Sequence, residues 1–419
     1  MKNRFLQNRI ITGRMIKRVI AAVSGILLVG CAQEEVPHTA NFKYLSMPVY
    51  VEVPEAENHR LRGAVSVVRN ELDDLKGVFD WNDPDSEYMR MNSAASEVWL
   101  PISYNMERLL KYSLDYYVKT RGCFDITVTP LCQIWGFEGA EVPDIVPREV
   151  VAAAMMVTGV ERVILANNAV RYDVSVLHLN FSGILEGYLT DLSLIRVRNR
   201  NYRNALINIG SSYRMLGEQA PGEFWQVPVA NPFDPESTLG TVTFQDKIGM
   251  SVSSTKDKYN LINGFEVGHI IDPRNGYPAT NIVQTVVVGP TATASDALAT
   301  SLTVGGVEEA PAIMYNFPRY DALMVLNEQP LTVWMTEGMS EYMALDDVPE
   351  DRQHVLPAHE PTEEELAGAI ALPKKKLPEW NMRVFRRPEE VAKMEAEKAE
   401  REAAERKRLE EEEKRRINR

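Results

Sequence analysis

The chain predicts an α+β fold. Strand-like and helical stretches both occur, and the strands fall in runs without regular strand–helix–strand alternation. The 419 residues are 45% hydrophobic and 25% charged, enough to bury one large core or two moderate ones. The formal net charge is −13, with no long basic stretch in the central region, which argues against a free nucleic-acid binder. An acidic surface favours a metal ion or a local cationic pocket at any phosphate site.

The N-terminus reads as an address. "MIKRVIAAVSGILLVGCAQ" has a basic start and an apolar run shorter than the ~20 residues of a membrane span. It resembles a bacterial lipoprotein signal, with a small residue before Cys31. Residues 1–30 are therefore expected to be a signal peptide and Cys31 the lipidated residue. The mature chain would be held at the cell membrane, on its periplasmic or extracellular face. An uncleaved membrane anchor is the alternative. Residues 31–43 read as a tether.

Residues 44–54, "YLSMPVYVEVP", alternate and read as a strand. Leu61, Val65, Val68, Leu72, Leu75 and Val78 recur at helical spacing, and Asp83–Ser86 supplies a turn. A second amphipathic helix over 105–125 ends at Gly122, and a third lies within 141–159. Two strands follow over 162–175, and then a helix that opens on Ser182-Gly183. Strands are expected at 204–210, 224–230 and 241–254, and strand, turn and helix over 285–306. From about residue 345 the composition shifts. Residues 346–380 are Pro-rich and polar, a linker. Residues 381–419 are Glu/Lys/Arg/Ala-rich, with opposite charges at i,i+4 but no apolar seam, a solvated helical or disordered tail. Cys123 and Cys132, close together in apolar sequence, read as buried thiols rather than a bridge.

Beside "NIGSSYRMLG" (208–217), a strand that ends in Gly-Ser-Ser and permits close backbone approach, four segments carry unusual chemistry. "GHIIDPRNGYP" (268–278) places His269, Asp272 and Arg274 before a rigid turn, either a polar loop that caps its own backbone or a phosphate-handling site. "GCFDITVTPLCQIWGF" (122–137) sets Gly122, Phe124 and Asp125 at a helix end. "LNFSGILEGYLTD" (179–191) puts small residues at a helix N-terminus, which welcomes an anion. "SDALATSL" (295–302) holds Asp296 and Thr300 one turn apart, positions that can meet a hard cation. A helical Thr can equally bond its own backbone.

Together, in this order, these segments resemble the ApbE family of flavin transferases (FAD:protein FMN transferases). The resemblance runs from about Met47 to about Gly306, with "WNDPDSEYMRMN" and "ALINIGSSYRMLG" as supporting motifs. It implies a two-lobed mixed-sheet domain over 44–345, FAD as substrate and a divalent cation such as Mg2+. The acceptor would be a threonine hydroxyl of a membrane respiratory flavoprotein, with AMP released. By resemblance, Asp296 and Thr300 would bind metal through side chains and Gly183 through its carbonyl. His269 would take the acceptor proton. Met47 and Trp81 would pack on flavin, Gly122, Cys123 and Phe124 would meet the adenine end, and Asn180, Glu186 and Ile271 would complete the FAD site. Arg274 would pair with Asp272.

Several positions depart from the family pattern. Asn180 stands for Asp, Glu186 for Lys, Gly210-Ser211-Ser212 for Gly-Gly-Asp, and Ser254-Thr255-Lys256 for Ser-Gly-Asp/Ser. A carboxylate at 186 near a pyrophosphate would cost about 3 kcal/mol at ~5 Å and an effective dielectric of 20. Lys256 would restore part of the positive charge. Two alternatives follow: a non-catalytic flavin-fold protein, and a metal-dependent FAD pyrophosphatase that uses water as acceptor.

Overall fold

A nine-stranded sheet whose strands stand in space in the same order as in sequence organises this computed structural model, which describes residues 38–94, 97–174, 177–244, 248–368, 370 and 372. The strands are β1 (Thr39–Tyr44), β2 (Met47–Glu52), β3 (Ala205–Ile209), β4 (Ser212–Leu216), β5 (Gly249–Ser254), β6 (Ile282–Gly289), β7 (Asp321–Leu326), β8 (Val333–Met335) and β9 (Gln353–Val355). Every neighbouring pair is antiparallel except β8 and β9, which run parallel. All eight residues of β6 are buried, so both faces of the sheet are covered at its centre.

The insertions between strands build everything else. Between β2 and β3 come α1 (Leu61–Asp74), α2 (Tyr104–Lys119) and α3 (Leu185–Asn199), while α4 (Ala292–Tyr315) follows β6. The apolar stripes of these helices close the main core against one face of the sheet, with Val68, Leu72, Leu109, Leu189 and Leu298 fully buried. Trp225–Asn231 pairs with Asp234–Phe244, and Met343–Leu345 adds to them. This three-stranded sheet covers the opposite face around Trp225, Phe244 and Val286. A third, small cluster forms around Trp135 and Val151 beneath the 268–278 loop. The α+β expectation agrees with this architecture.

Several boundaries differ from the sequence reading. The described part of the expected tether, from residue 38, pairs with the expected strand as a hairpin instead. Leu45 and Ser46 both take positive φ (47° and 69°), the backbone of a two-residue turn, so the chain reverses between β1 and β2. The stretch 241–254 is two strands, one ending at Phe244 and β5 starting at Gly249. α4 continues past Gly306 to Tyr315; Gly306 takes φ 66° and leads into Pro311. The segment expected as a linker from 346 contributes β9. It also carries a short helix, Glu363–Leu366, whose Glu365 Oε1 lies 2.9 Å from Arg121 Nη1. These pieces are too short for any periodicity to show. Cys31, the signal segment 1–30 and the tail 381–419 lie outside the described residues. Among the described residues no helix is long and apolar enough to cross a membrane.

The boundary between fold and tail is testable. Truncation after residue 372 should leave the melting temperature within a degree or two of the full chain, because the tail is poor in large apolar residues. Truncation after residue 346 removes β9 and the Arg121–Glu365 pair and should lower it clearly. Equal melting temperatures for both truncations would show that β9 contributes nothing.

Candidate active site

The four chemistry-bearing segments converge on one end of the sheet, where α3, α4 and the ends of β3 and β5 meet. Their meeting is built from close approaches. A Cβ on Gly183 would lie 3.0 Å from Thr300 Oγ1 and 3.3 Å from Phe124 Cε2, so the Ser182-Gly183 turn sits directly over α4 and the 122–124 segment. The Asn180 amide donates to the Ile126 carbonyl at 2.6 Å, tying the same two segments together. Asn180 Oδ1 accepts from the Ser182 amide at 2.8 Å, which shapes the turn before α3.

Asp296 lies at the centre. It is buried on α4, and its Oδ2 accepts from the Gly187 amide of α3 at 3.0 Å. Its Oδ1 lies 3.4 Å from Ser251 Oγ on β5. Burial first, and the neighbouring Glu186 charge second, push its carboxyl well above the usual carboxylate range. One turn along, Thr300 Oγ1 is 3.2 Å from Ser253 Oγ, so the hydroxyl faces β5 as well as Gly183.

Glu186, expected beside a pyrophosphate, is anchored to the protein. Its Oε2 accepts from the Ser211 amide at 2.8 Å and from Ser211 Oγ at 2.9 Å. Its carboxylate also occupies the space that a Cβ on Gly210 would need, and Gly210 takes φ 59°. Burial raises its pKa, while the two Ser211 bonds oppose that shift. Glu186 and Ser211 therefore depart from the family pattern as a bonded pair. Lys256 does not supply the compensating charge expected of it. Its Nζ lies 2.7 Å from Glu266 Oε2 on the exposed 259–268 hairpin.

The 268–278 loop holds its own geometry. Asp272 Oδ1 accepts from the Arg274 amide and from Arg274 Nε, each at 2.9 Å, and Oδ2 accepts from Arg274 Nη2 at 2.9 Å and Asn275 Nδ2 at 3.0 Å. The carboxylate–guanidinium fork is thus an internal brace. Arg274 also reaches Glu309 (3.5 Å), which bridges it to Arg121 (3.3 Å). A Cβ on Gly122 (φ 79°) would sit 3.8 Å from Arg274 Cγ, so this brace supports the backbone of the Gly122-Cys123-Phe124 turn. Cys123 and Cys132 are free buried thiols; burial pushes each up to about 12.

His269 projects from the start of this loop. Its Nδ1 lies 3.0 Å from the Lys258 carbonyl. A carbonyl only accepts, so Nδ1 carries the proton and Nε2 is left as a base. Burial lowers its pKa to about 4, so the ring is neutral at pH 7. The loop approaches the Thr300 region through β5, since a Cβ on Gly268 would come 2.9 Å from Thr255 Cβ, two residues beyond Ser253. Ile271 packs its side chain into the small core with Trp135, which leaves only its main chain for a ligand. Met47 starts β2 as a buried residue, and Trp81 packs partly buried on the main core.

Sequence reasoning singled out Ser211 only as a departure from the family pattern and missed Ser251 and Ser253; the three line Glu186, Asp296 and Thr300. The i,i+2 spacing of Ser251 and Ser253 on one strand face was the available signal. It also missed the Arg121–Glu309–Arg274 bridge, whose members lie far apart in sequence.

Two predictions follow from this geometry. Gly276 takes φ 81°, and an added Cβ would meet Val151 Cγ1 at 2.6 Å, while its carbonyl accepts from Trp135 Nε1 at 2.8 Å. Gly276→Ala should cost about 2 kcal/mol or more in a denaturant titration; a change within error would show that the loop adapts freely. His269 has a folded pKa of about 4, below its ordinary 6.5, so its neutral form is the one the fold favours. Its contribution to stability is present above pH 6.5 and is lost as pH falls toward 4. Wild type should therefore lose stability relative to His269→Gln across that window, and parallel curves would refute the assignment.

Comparison with known proteins identifies the family. The model of the ApbE family matches residues 45–324. An FAD:protein FMN transferase of Klebsiella pneumoniae (strain 342) is 30% identical over 304 residues, covering 70% of this chain and 83% of the relative. The FAD:protein FMN transferase of Escherichia coli (strain K12) is 28% identical over 340 residues, covering 78% and 97%. Among solved structures, the flavin transferase ApbE from Vibrio cholerae superposes with a TM-score of 0.63 at 21% identity, over 73% of this chain and 99% of that one. The ApbE protein of Thermotoga maritima gives 0.65 at 21% identity, over 73% and 98%. With a family match over two thirds of its length and curated relatives covered over 83% and 97% of theirs, the chain belongs to the ApbE family.

Proposed function

We propose that this chain is an FAD:protein FMN transferase, working on FAD and a threonine hydroxyl of a membrane flavoprotein. The observation that carries the reading is the junction of α3, α4 and β5. It gathers Asp296, Thr300 and Gly183 beside the Gly122–Phe124 turn and the His269 loop. The names of the relatives, FAD:protein FMN transferase, support transfer of FMN from FAD to a protein.

The donor set fits a hard divalent cation such as Mg2+. Asp296 offers a carboxylate, Thr300 a hydroxyl and Gly183 a carbonyl, all oxygen ligands. Asp296 and Glu186 are neighbouring carboxylates; burial raises both pKa values, and the Glu186 charge raises that of Asp296 further. When bound, the cation would neutralise the pyrophosphate and stabilise charge on the leaving phosphate.

The chain's own residues supply the rest. His269 Nε2 takes the proton from the acceptor threonine as its oxygen bonds to the FMN phosphorus, and the bond to the AMP phosphate breaks. The Lys258 carbonyl holds the required tautomer. The Asp272–Arg274 brace fixes the loop on which His269 sits and backs the Gly122–Phe124 turn, the adenine-facing element. Glu186, bonded to Ser211, adds negative charge beside Asp296 and thereby strengthens cation binding. Met47 and Trp81 supply the flavin-facing surface, with Asn180 and the Ile271 main chain completing the FAD site. Cys31 anchors the mature chain by lipid at the outer face of the cell membrane, where respiratory acceptors with a Ser/Thr-Gly-x-Thr motif are met.

Incubating the protein with FAD, Mg2+ and such an acceptor domain should add one FMN to the acceptor, read by mass, with AMP released in equal amount. His269→Gln should abolish transfer and leave FAD affinity within about twofold. AMP release with no acceptor adduct would replace the transferase by a pyrophosphatase. No AMP under any condition would leave a binding protein. Separately, Cys31→Ser should release the protein from the membrane or leave its signal uncleaved, and unchanged processing and membrane association would exclude the lipid anchor.

A further inference from the structure

A cavity of about 280 Å3 opens between α2, α3 and the N-terminal end of α4. None of its lining residues belongs to the Asp296–Thr300–His269 site. Its volume lies near the lower end of small-molecule sites, about 300 to 1,000 Å3, so it suits a single ring and not a dinucleotide.

Its charge is unusual for a chain with a formal net charge of −13. Arg108, Arg198 and Arg214 line it against one carboxylate, Asp191. That carboxylate is already used. It accepts from the Ala292 and Thr293 amides (3.2 and 2.9 Å) and from Thr293 Oγ1 (2.6 Å), capping α4, and it pairs with Arg214 Nε at 3.0 Å. Two guanidiniums thus have no carboxylate partner among the described residues. Arg108 spends a proton on the Tyr112 hydroxyl at 2.9 Å and lies over the rings of Tyr104, Tyr112 and Tyr188 at 5.5–6.0 Å. Arg198 stands exposed at the mouth.

The rest of the wall is aromatic and apolar. Tyr112 and Tyr116 stack with centroids 6.0 Å apart and planes at 10°. The Tyr116 hydroxyl has no hydrogen-bond partner among the described residues, and burial raises its pKa, so it remains a donor. Ile195 and Leu216 supply aliphatic surface. Flat rings that can extend a stack, with uncompensated guanidiniums beside them, match an arene that carries an anionic group.

From this we infer a second ligand site, for a small aromatic carboxylate or phosphate, whose anionic group is held by Arg108 and Arg198 and whose ring packs on Tyr112, Tyr116 and Ile195. It is independent of the transferase reading.

Calorimetric titration of the full chain tests it, with phenyl phosphate and benzoate as probes and inorganic phosphate and benzyl alcohol as controls. At least one aryl anion should bind at one per chain, about tenfold or more tighter than either control; which one does so identifies the head group. Arg108→Gln with Arg198→Gln should weaken it about tenfold or more, and Ile195→Trp should fill the cavity and remove binding without touching a charge. FAD titration should be unchanged in both variants, which also reports that they fold. Absence of saturable aryl-anion binding would overturn the proposal. So would unchanged affinity in both variants, or competition between the aryl anion and FAD.

Discussion

Asp296 is the side chain on which two insertions of the sheet depend. It is buried on α4, takes the Gly187 amide from the first turn of α3, and faces Ser251 on β5. A carboxylate in that position is costly without a cation. Gly187 is tightly constrained as well, since a Cβ there would overlap the Ala292 backbone at the start of α4. Close packing of α3 on α4 therefore brings the carboxylate, the Thr300 hydroxyl and the Gly183 turn together. The same packing places Glu186 beside Asp296, so the site concentrates negative charge where a phosphate ligand would need positive charge. The proposed multivalent cation would reconcile the two.

Much of this was legible in the sequence. The amphipathic helices, the second ending at Lys119 just before Gly122, and the strand, turn and helix of β6 and α4 follow from local patterns. Asp296 and Thr300 sit one turn apart on a helix and could be paired by counting. The hairpin at Leu45–Ser46 was hidden because neither residue is a usual left-handed one. β9 and the helix at Glu363–Leu366 are too short to show a period, and they exist through pairing with β8 and Arg121, contacts that no local pattern encodes. The consequence of Glu186 was hidden for the same reason. Read alone it is a reversed charge at a helix start; in the fold it is one half of a bond to Ser211, 25 residues on.

The 268–278 loop shows how the two readings of a polar motif combine. Asp272 does cap its own backbone and hold Arg274, as a structural loop would. The brace is also what positions His269 at one end and supports the Gly122–Phe124 turn at the other. The residues that are most prominent in the motif thus work at one remove, and the histidine is left with a defined tautomer and an Nε2 that has no hydrogen-bond partner among the described residues.

The proposed cation site at Asp296, Thr300 and Gly183, with Glu186 beside it, competes with a purely structural hydrogen-bond network as the role of this junction. Thermal denaturation at pH 7, with Mg2+ or with chelator, in wild type and Asp296→Asn, decides between the two most directly. A cation that binds the native state raises its melting temperature with concentration. The account predicts a Mg2+-dependent rise in wild type that is lost in Asp296→Asn, and in chelator a variant at least as stable as wild type because a buried charge has been removed. A melting temperature indifferent to Mg2+ in wild type, with Asp296→Asn destabilised in chelator, would contradict it.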